Sequence, residues 1–289
     1  MTALRGRRWL RVTTRAVTQL CLIGTSVTVL RAQPPASSPS GVFITGQDLA
    51  IVAGATAATA ALFAVDVKVA RVFSDTSFHR RHLGFTVAAK RASRVTETAL
   101  MLGGGLVYGI ARLNNDRGTA DVALHTTGSI VSAAMFIQVV RGTLGRARPH
   151  VVDEIGEERH SDPYNFEFFH GFTSFNYRSF PSMHAMASMA TASALAQEMR
   201  RRDTPHRGVI APVLYTAAVV PALARMYLDE HWTSDIAMGI FLGVFAGQKV
   251  VNYSHDHPDN RIDRTFLKPS VKASFTYDAR GLSFLVLPF

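Results

Sequence analysis

Residues 181–184 read PSMH, at the mouth of an apolar, alanine-rich run whose first turn needs no histidine for packing. Two more polar clusters sit at the ends of apolar segments. RGTLGRARP, residues 141–149, holds Arg141 and Arg148 seven positions apart, and ARMYLDEHWTSD, residues 224–235, spaces Arg225, His231 and Asp235 by six and by four. These residue types suit phosphoryl transfer, in which negative charge spreads over three equatorial oxygens and calls for several fixed cations and N–H donors. Arg141, Arg148 and Arg225 offer planar, permanently charged forks. Ser182 stands where an N-cap belongs, and the helix it opens aims free N–H groups and a positive dipole at the same place. Asp235 can hold one ring nitrogen of His231 so that the other faces phosphorus, and His184 is then free to protonate the leaving oxygen.

Singly, each piece has a plainer meaning. Arg141, Arg146 and Arg148 would serve as charges ending an apolar helix, Ser182 as a cap, and either histidine as a hydrogen-bonded structural residue. It is the conjunction that carries weight. In order and spacing the clusters resemble the three-part signature of the type 2 phosphatidic acid phosphatase family, shared with bacterial class A acid phosphatases and vanadium haloperoxidases: K-x6-RP, PSGH and SR-x5-H-x3-D. The resemblance spans about residues 95–252, with three departures: Arg141 replaces Lys, Met183 replaces Gly and Ala224 replaces Ser. Arg141 keeps the charge, Met183 still offers its backbone N–H while narrowing the pocket, and Ala224 removes one hydroxyl donor.

The resemblance implies a phosphohistidine on His231, His184 as acid and then as base for water, and phosphate held by Arg141, Arg148, Arg225, Ser182 and Met183. It implies no metal and no cofactor, with vanadate as an inhibitor. Arg146 has no role in the signature and reads as structural or as a rim charge. The expected substrate is a phosphorylated lipid, a polyprenyl carrier phosphate or a small phosphomonoester. One alternative is a vanadium haloperoxidase, in which the same histidine would ligate vanadate. Another, from a different class, is a catalytically inactive lipid-phosphate-binding envelope protein.

Other polar residues take plainer readings. The H-R-R-H run at 79–82 is a solvated charged loop, and His125, inside an apolar helix, is a hydrogen-bonded core residue. SHDHPD, residues 254–259, offers His255 and His257 to a metal, but two histidines without a third ligand are weak evidence for a site. Residues 160–180 place eight aromatics between the first and second clusters, a wall that suits an amphiphilic phosphate.

The chain that must position these groups has 289 residues, enough for one sizeable domain, and a net charge of +10, which favours anionic partners. Nucleic acid is not among them, since zinc-finger spacings and basic stripes interleaved with aromatics are missing. Residues 1–32 read as a signal peptide with a basic start, an apolar stretch and a cut after Ala32, or as a retained N-terminal anchor. The only cysteine, Cys21, lies inside that stretch, so a processed chain has no thiol chemistry. Residues 33–47 form a flexible linker, 48–258 a helical phosphatase domain, and 259–289 a tail in which DARG turns a β-hairpin.

Six apolar segments, near 48–67, 96–112, 120–141, 183–199, 208–228 and 234–251, predict an all-α six-helix bundle. The basic loops fit the positive-inside rule in neither six-span topology. The expectation is therefore an exported domain of the cell envelope on the periplasmic side, resting on a membrane surface, with an integral inner-membrane protein as the alternative.

Overall fold

The computed structural model describes residues 42–151, 162–267, 271–278 and 281–288. The segment expected to be a signal or anchor, and most of the linker, lie outside the described residues. Helix α1 spans Gly46–Phe73 and opens on a capping box: Thr45 Oγ1 accepts from the Asp48 N–H, and the Asp48 carboxylate accepts from the Thr45 N–H. Two short helices follow, α2 (Thr76–Arg81) and α3 (Leu83–Ala92). The long helices are α4 (Glu97–Leu113), α5 (Arg117–Leu144), α6 (Met183–Arg201), α7 (Arg207–Tyr227) and α8 (Thr233–Asp256). A final short helix, α9, covers Arg261–Phe266, and strands Val271–Asp278 (β1) and Gly281–Pro288 (β2) pair antiparallel.

Each apolar segment read from the sequence lies in one long helix. The count of six falls short by α2, α3 and α9, of which α2 and α9 open on a side-chain cap. Asp75 accepts from two N–H groups at the start of α2, and Asn260 does the same for α9. The H-R-R-H run is accordingly the end of α2 rather than a loop, with His79 Nε2 donating to the Phe73 carbonyl at 2.7 Å.

Helix α6 lies at the centre, and its small side chains are the reason. Ala185, Ala187, Ala190 and Ala194 are fully buried, and one core cluster joins Ile130, Ala133 and Ile137 of α5 to Met183 and Met186 of α6 and Met238 and Leu242 of α8. Along α8, Gly239, Gly243 and Gly247 face α6 so closely that an added Cβ would lie 2.5 Å from the Ser182 carbonyl oxygen, 2.4 Å from that of Met186 and 2.7 Å from the Ala194 nitrogen. Backbone therefore packs on backbone. That contact fixes the start of α8 against the start of α6, where the second and third clusters lie.

The outer faces are apolar. Leu102 is 70% exposed, Met135 67% and Val209 69%, each on a different helix. By length and composition, four helical stretches among the described residues are able to cross a membrane: Gly46–Arg81, Arg117–Leu144, Arg207–Tyr227 and Thr233–Asp256.

Candidate active site

The three clusters meet at one end of the bundle, where α5 and α7 end and α6 and α8 begin. Chain direction alone brings them there, since successive long helices run antiparallel. The Ser182 N–H donates to the Asp235 carbonyl at 3.1 Å, which locks the two helix starts together. Ser182 caps α6, its buried Oγ accepting from the Ala185 N–H, so the first N–H groups of the helix, including that of Met183, have no carbonyl partner within it.

His231 sits in the turn before α8, 4% exposed. Its Nδ1 lies 3.6 Å from Asp235 Oδ2, beyond hydrogen-bond length, and is a buried nitrogen without a partner. Burial pushes the imidazole pKa down to about 4, and the nearby Arg148 and Arg225 charges add to that, against the opposing pull of Asp235. His231 is thus a neutral imidazole, the form a nucleophile needs.

Arg148 and Arg225 converge on Glu230, the residue before it. Arg148 Nη1 binds Glu230 Oε2, and Arg225 Nη2 lies 3.0 Å from the same oxygen. Arg225 Nε is buried with no acceptor. The Arg148 guanidinium also stacks on the Phe175 ring, 4.0 Å from its centroid, and its Nε donates to the Phe175 carbonyl at 3.1 Å. The loop aromatics are split in use. Phe175 shelves Arg148 while remaining exposed itself, and Tyr164, Phe168 and Phe169 are exposed as well.

His184 Nε2 donates to the Ser93 carbonyl at 3.1 Å, which puts the proton on that nitrogen and leaves Nδ1 unbonded among the described residues. The Glu97 charge, on the first turn of α4, acts on His184, Arg141 and Arg225 together. Arg141 shares that Glu97 charge with His184 and Arg225 but makes its own side-chain bond elsewhere. Its Nε donates to Gln138 Oε1 at 2.8 Å, and no described hydrogen bond or ion pair links it to Arg148 or Arg225.

Residues 123–258, which contain all three clusters, match the family model of the PAP2 superfamily. Among solved structures the chain is similar to one described as the first transmembrane PAP2 type phosphatidylglycerolphosphate phosphatase from Bacillus subtilis. The identity is 18% over 70% of this chain and 98% of that one, with a TM-score of 0.39. No curated protein matches the chain significantly.

Within the matched segment the structure decides between the two readings of Arg146 in favour of the structural one. Read from the sequence as structural or as a rim charge, it is a fully buried side chain at the hub of the site's support. Nη1 donates to Asp235 Oδ1 at 2.5 Å and to Ser234 Oγ at 2.7 Å, Nη2 to Asp66 Oδ2 at 2.8 Å, and Nε to the Pro163 carbonyl at 2.8 Å. The Phe63 ring lies 3.9 Å beneath it. Gly145, with φ of 57°, ends α5 and turns the chain inward; a Cβ there would lie 1.8 Å from the Glu167 carbonyl oxygen.

Asp235 is held on all sides, with Oδ2 accepting from Ser179 Oγ at 2.5 Å and from the Trp232 N–H at 2.8 Å. Asp66, Ser179, Glu97 and Glu230 were not found from the sequence. Asp66 carried a signal, an acid inside the apolar run ALFAVDVKVA. The others carried none.

Proposed function

We propose that this chain is a membrane-embedded phosphatase that hydrolyses phosphate monoesters or pyrophosphates of lipids or polyprenyl carriers through a phosphohistidine, without a catalytic metal, facing the periplasm. The observation that carries the reading is a buried neutral histidine, backed by a fixed carboxylate, beside two converging guanidinium groups. The outer apolar faces favour the integral alternative over a domain resting on the surface, because contiguous apolar surface of this extent is costly in water.

His231 Nε2 attacks phosphorus while the bond to the leaving oxygen breaks. His184 enters this step as an imidazolium, gives its Nδ1 proton to that oxygen and is left neutral, with its Nε2–H still on the Ser93 carbonyl. The positive charge formed on His231 is met by Asp235, whose 3.6 Å separation from Nδ1 shortens once that nitrogen becomes a charged donor. Arg148, Arg225 and the N–H groups at the start of α6 receive the equatorial oxygens. The substrate phosphate takes the place of the Glu230 carboxylate on the two arginines. In the second step His184 accepts a proton from water, the water oxygen bonds to phosphorus, and the P–N bond returns its electron pair to His231. The exposed aromatics of residues 162–180, Phe175 among them, suit the apolar part of an amphiphile.

The test is phosphate release from phosphatidic acid, phosphatidylglycerol phosphate, undecaprenyl pyrophosphate and p-nitrophenyl phosphate, with His231→Ala as the blank. Activity survives EDTA and is inhibited by orthovanadate, whose trigonal-bipyramidal form resembles phosphorus midway between His231 and the leaving oxygen. Loss in EDTA that Mg²⁺ restores, or indifference to vanadate, refutes the mechanism.

A further inference from the structure

At the end of the bundle opposite the catalytic residues, three helices bring together groups that the phosphatase chemistry does not use. His125 lies on α5 sixteen positions before Arg141, about 24 Å along the helix at 1.5 Å per residue. Its Nδ1 faces Glu198 Oε1 of α6 at 2.6 Å, and His255 Nε2 of α8 faces Glu198 Oε2 at 3.0 Å. One ligand atom from each of the three residues falls within 4.8 Å of the others. SHDHPD therefore supplies one histidine of a cluster rather than a pair. His257 turns away, its ring stacked on Tyr253 at 4.4 Å.

We propose that His125 Nδ1, Glu198 and His255 Nε2 form a structural binding site for a divalent transition metal, Zn²⁺ being the best match, that clasps α5, α6 and α8 together. Two imidazoles and a carboxylate are a known zinc donor set, and four-coordinate ligands at about 2.0–2.1 Å from the ion stand about 3.3 Å apart, so the two histidine–carboxylate pairs, at 2.6 and 3.0 Å, open by less than about 1 Å while the widest pair, within 4.8 Å, draws in.

The outer groups fit as well. Asp263 Oδ2 lies 3.4 Å from His125 Nε2, placed to accept its N–H and fix the tautomer that leaves Nδ1 for the metal. The other carboxylate oxygen of Asp263 is buried without a partner. Asn260 Nδ2 donates to Asp263 Oδ2 at 2.7 Å, and Arg202 Nε donates to Glu198 Oε2 at 2.8 Å, holding the carboxylate ligand from outside. His255 is half-buried and gives the ion its way in. The site is independent of the phosphatase reading and stands or falls separately from it.

The experiment uses the full chain in detergent, stripped with chelator and titrated with Zn²⁺ by calorimetry and with Co²⁺ by visible absorption. About one ion binds per chain, and Co²⁺ gives the intense d–d bands of a low-coordinate nitrogen-oxygen site. His255→Ala loses both signals and His257→Ala keeps them. Asp263→Asn, which leaves every ligand in place and guards against a misfolded ligand variant, binds about tenfold to a hundredfold more weakly. Zn²⁺ raises the melting temperature of the wild type but not of His255→Ala. No uptake at micromolar metal, or binding by His255→Ala equal to wild type, overturns the proposal and leaves the cluster as a buried imidazolium between two carboxylates.

Discussion

Arg146→Lys separates positioning from phosphate binding. The guanidinium holds Asp66 and Asp235 at once, through different nitrogens, with both partners and the arginine itself fully buried. Lysine keeps the charge but ends in one nitrogen, so it serves one carboxylate well and leaves the other short of a charge-assisted bond. Such a bond is worth about 1.5–3 kcal/mol, and Arg146→Ala, which leaves two buried carboxylates with no cation, costs about 3–5 kcal/mol.

The kinetic effect follows from what Asp235 does. Losing the Arg146 tether on Oδ1 lets the carboxylate and His231 shift, and a misplacement of about 1 Å lowers turnover about a hundredfold. Arg148 and Arg225 contact neither Arg146 nor Asp66 by any described bond, so substrate binding is little changed. Steady-state kinetics with p-nitrophenyl phosphate, read beside thermal unfolding in detergent, is the assay. Expected for Arg146→Lys is a kcat fall of about a hundredfold with KM within about threefold of wild type, and a lower melting temperature. Wild-type kcat in a destabilised protein, or a KM rise at constant kcat, would refute the positioning role.

Three more outcomes follow from the same geometry. The neutral form of His231 is the active one and burial holds its pKa at about 4, so kcat/KM is insensitive to this group at neutral pH and falls as pH drops through about 4. An acid limb near the ordinary histidine value of about 6.5 contradicts that. Glu230→Gln removes the carboxylate that engages Arg148 and Arg225, and it lowers the vanadate inhibition constant at least several-fold; weaker inhibition shows that Glu230 orders the arginines instead of competing for them. A membrane-embedded chain stays in the pellet after carbonate washing and leaves it with detergent, whereas release by carbonate favours a domain resting on the surface.

The separation between local and long-range information runs through this molecule residue by residue. Spacing around a helix start is set by backbone geometry, so the nearness of His231 to Asp235, four apart, and of Ser182 to His184 was legible, as was the capping role of Ser182. The apolar segments were legible for the same reason: helical burial has a period that composition alone reveals. The short helices α2 and α9 were not, because single capping residues open them and six residues carry little apolar pattern.

What the sequence could not show is which distant residues would share one buried space. Arg146 meets Asp66 across 80 positions and Asp235 across 89, and a charge that reads as structural or as a rim residue is the structural one, forced to find partners because no water reaches it. Glu198 meets His125 across 73 positions and His255 across 57. Those meetings depend on helix contacts such as the glycine face of α8 against α6, whose close approach sets the phase of one helix on another. The sequence determined the chemistry available at each helix end, whereas tertiary packing decided which carboxylate each buried cation would neutralise, since only the folded interior removes the solvent that would otherwise satisfy them separately.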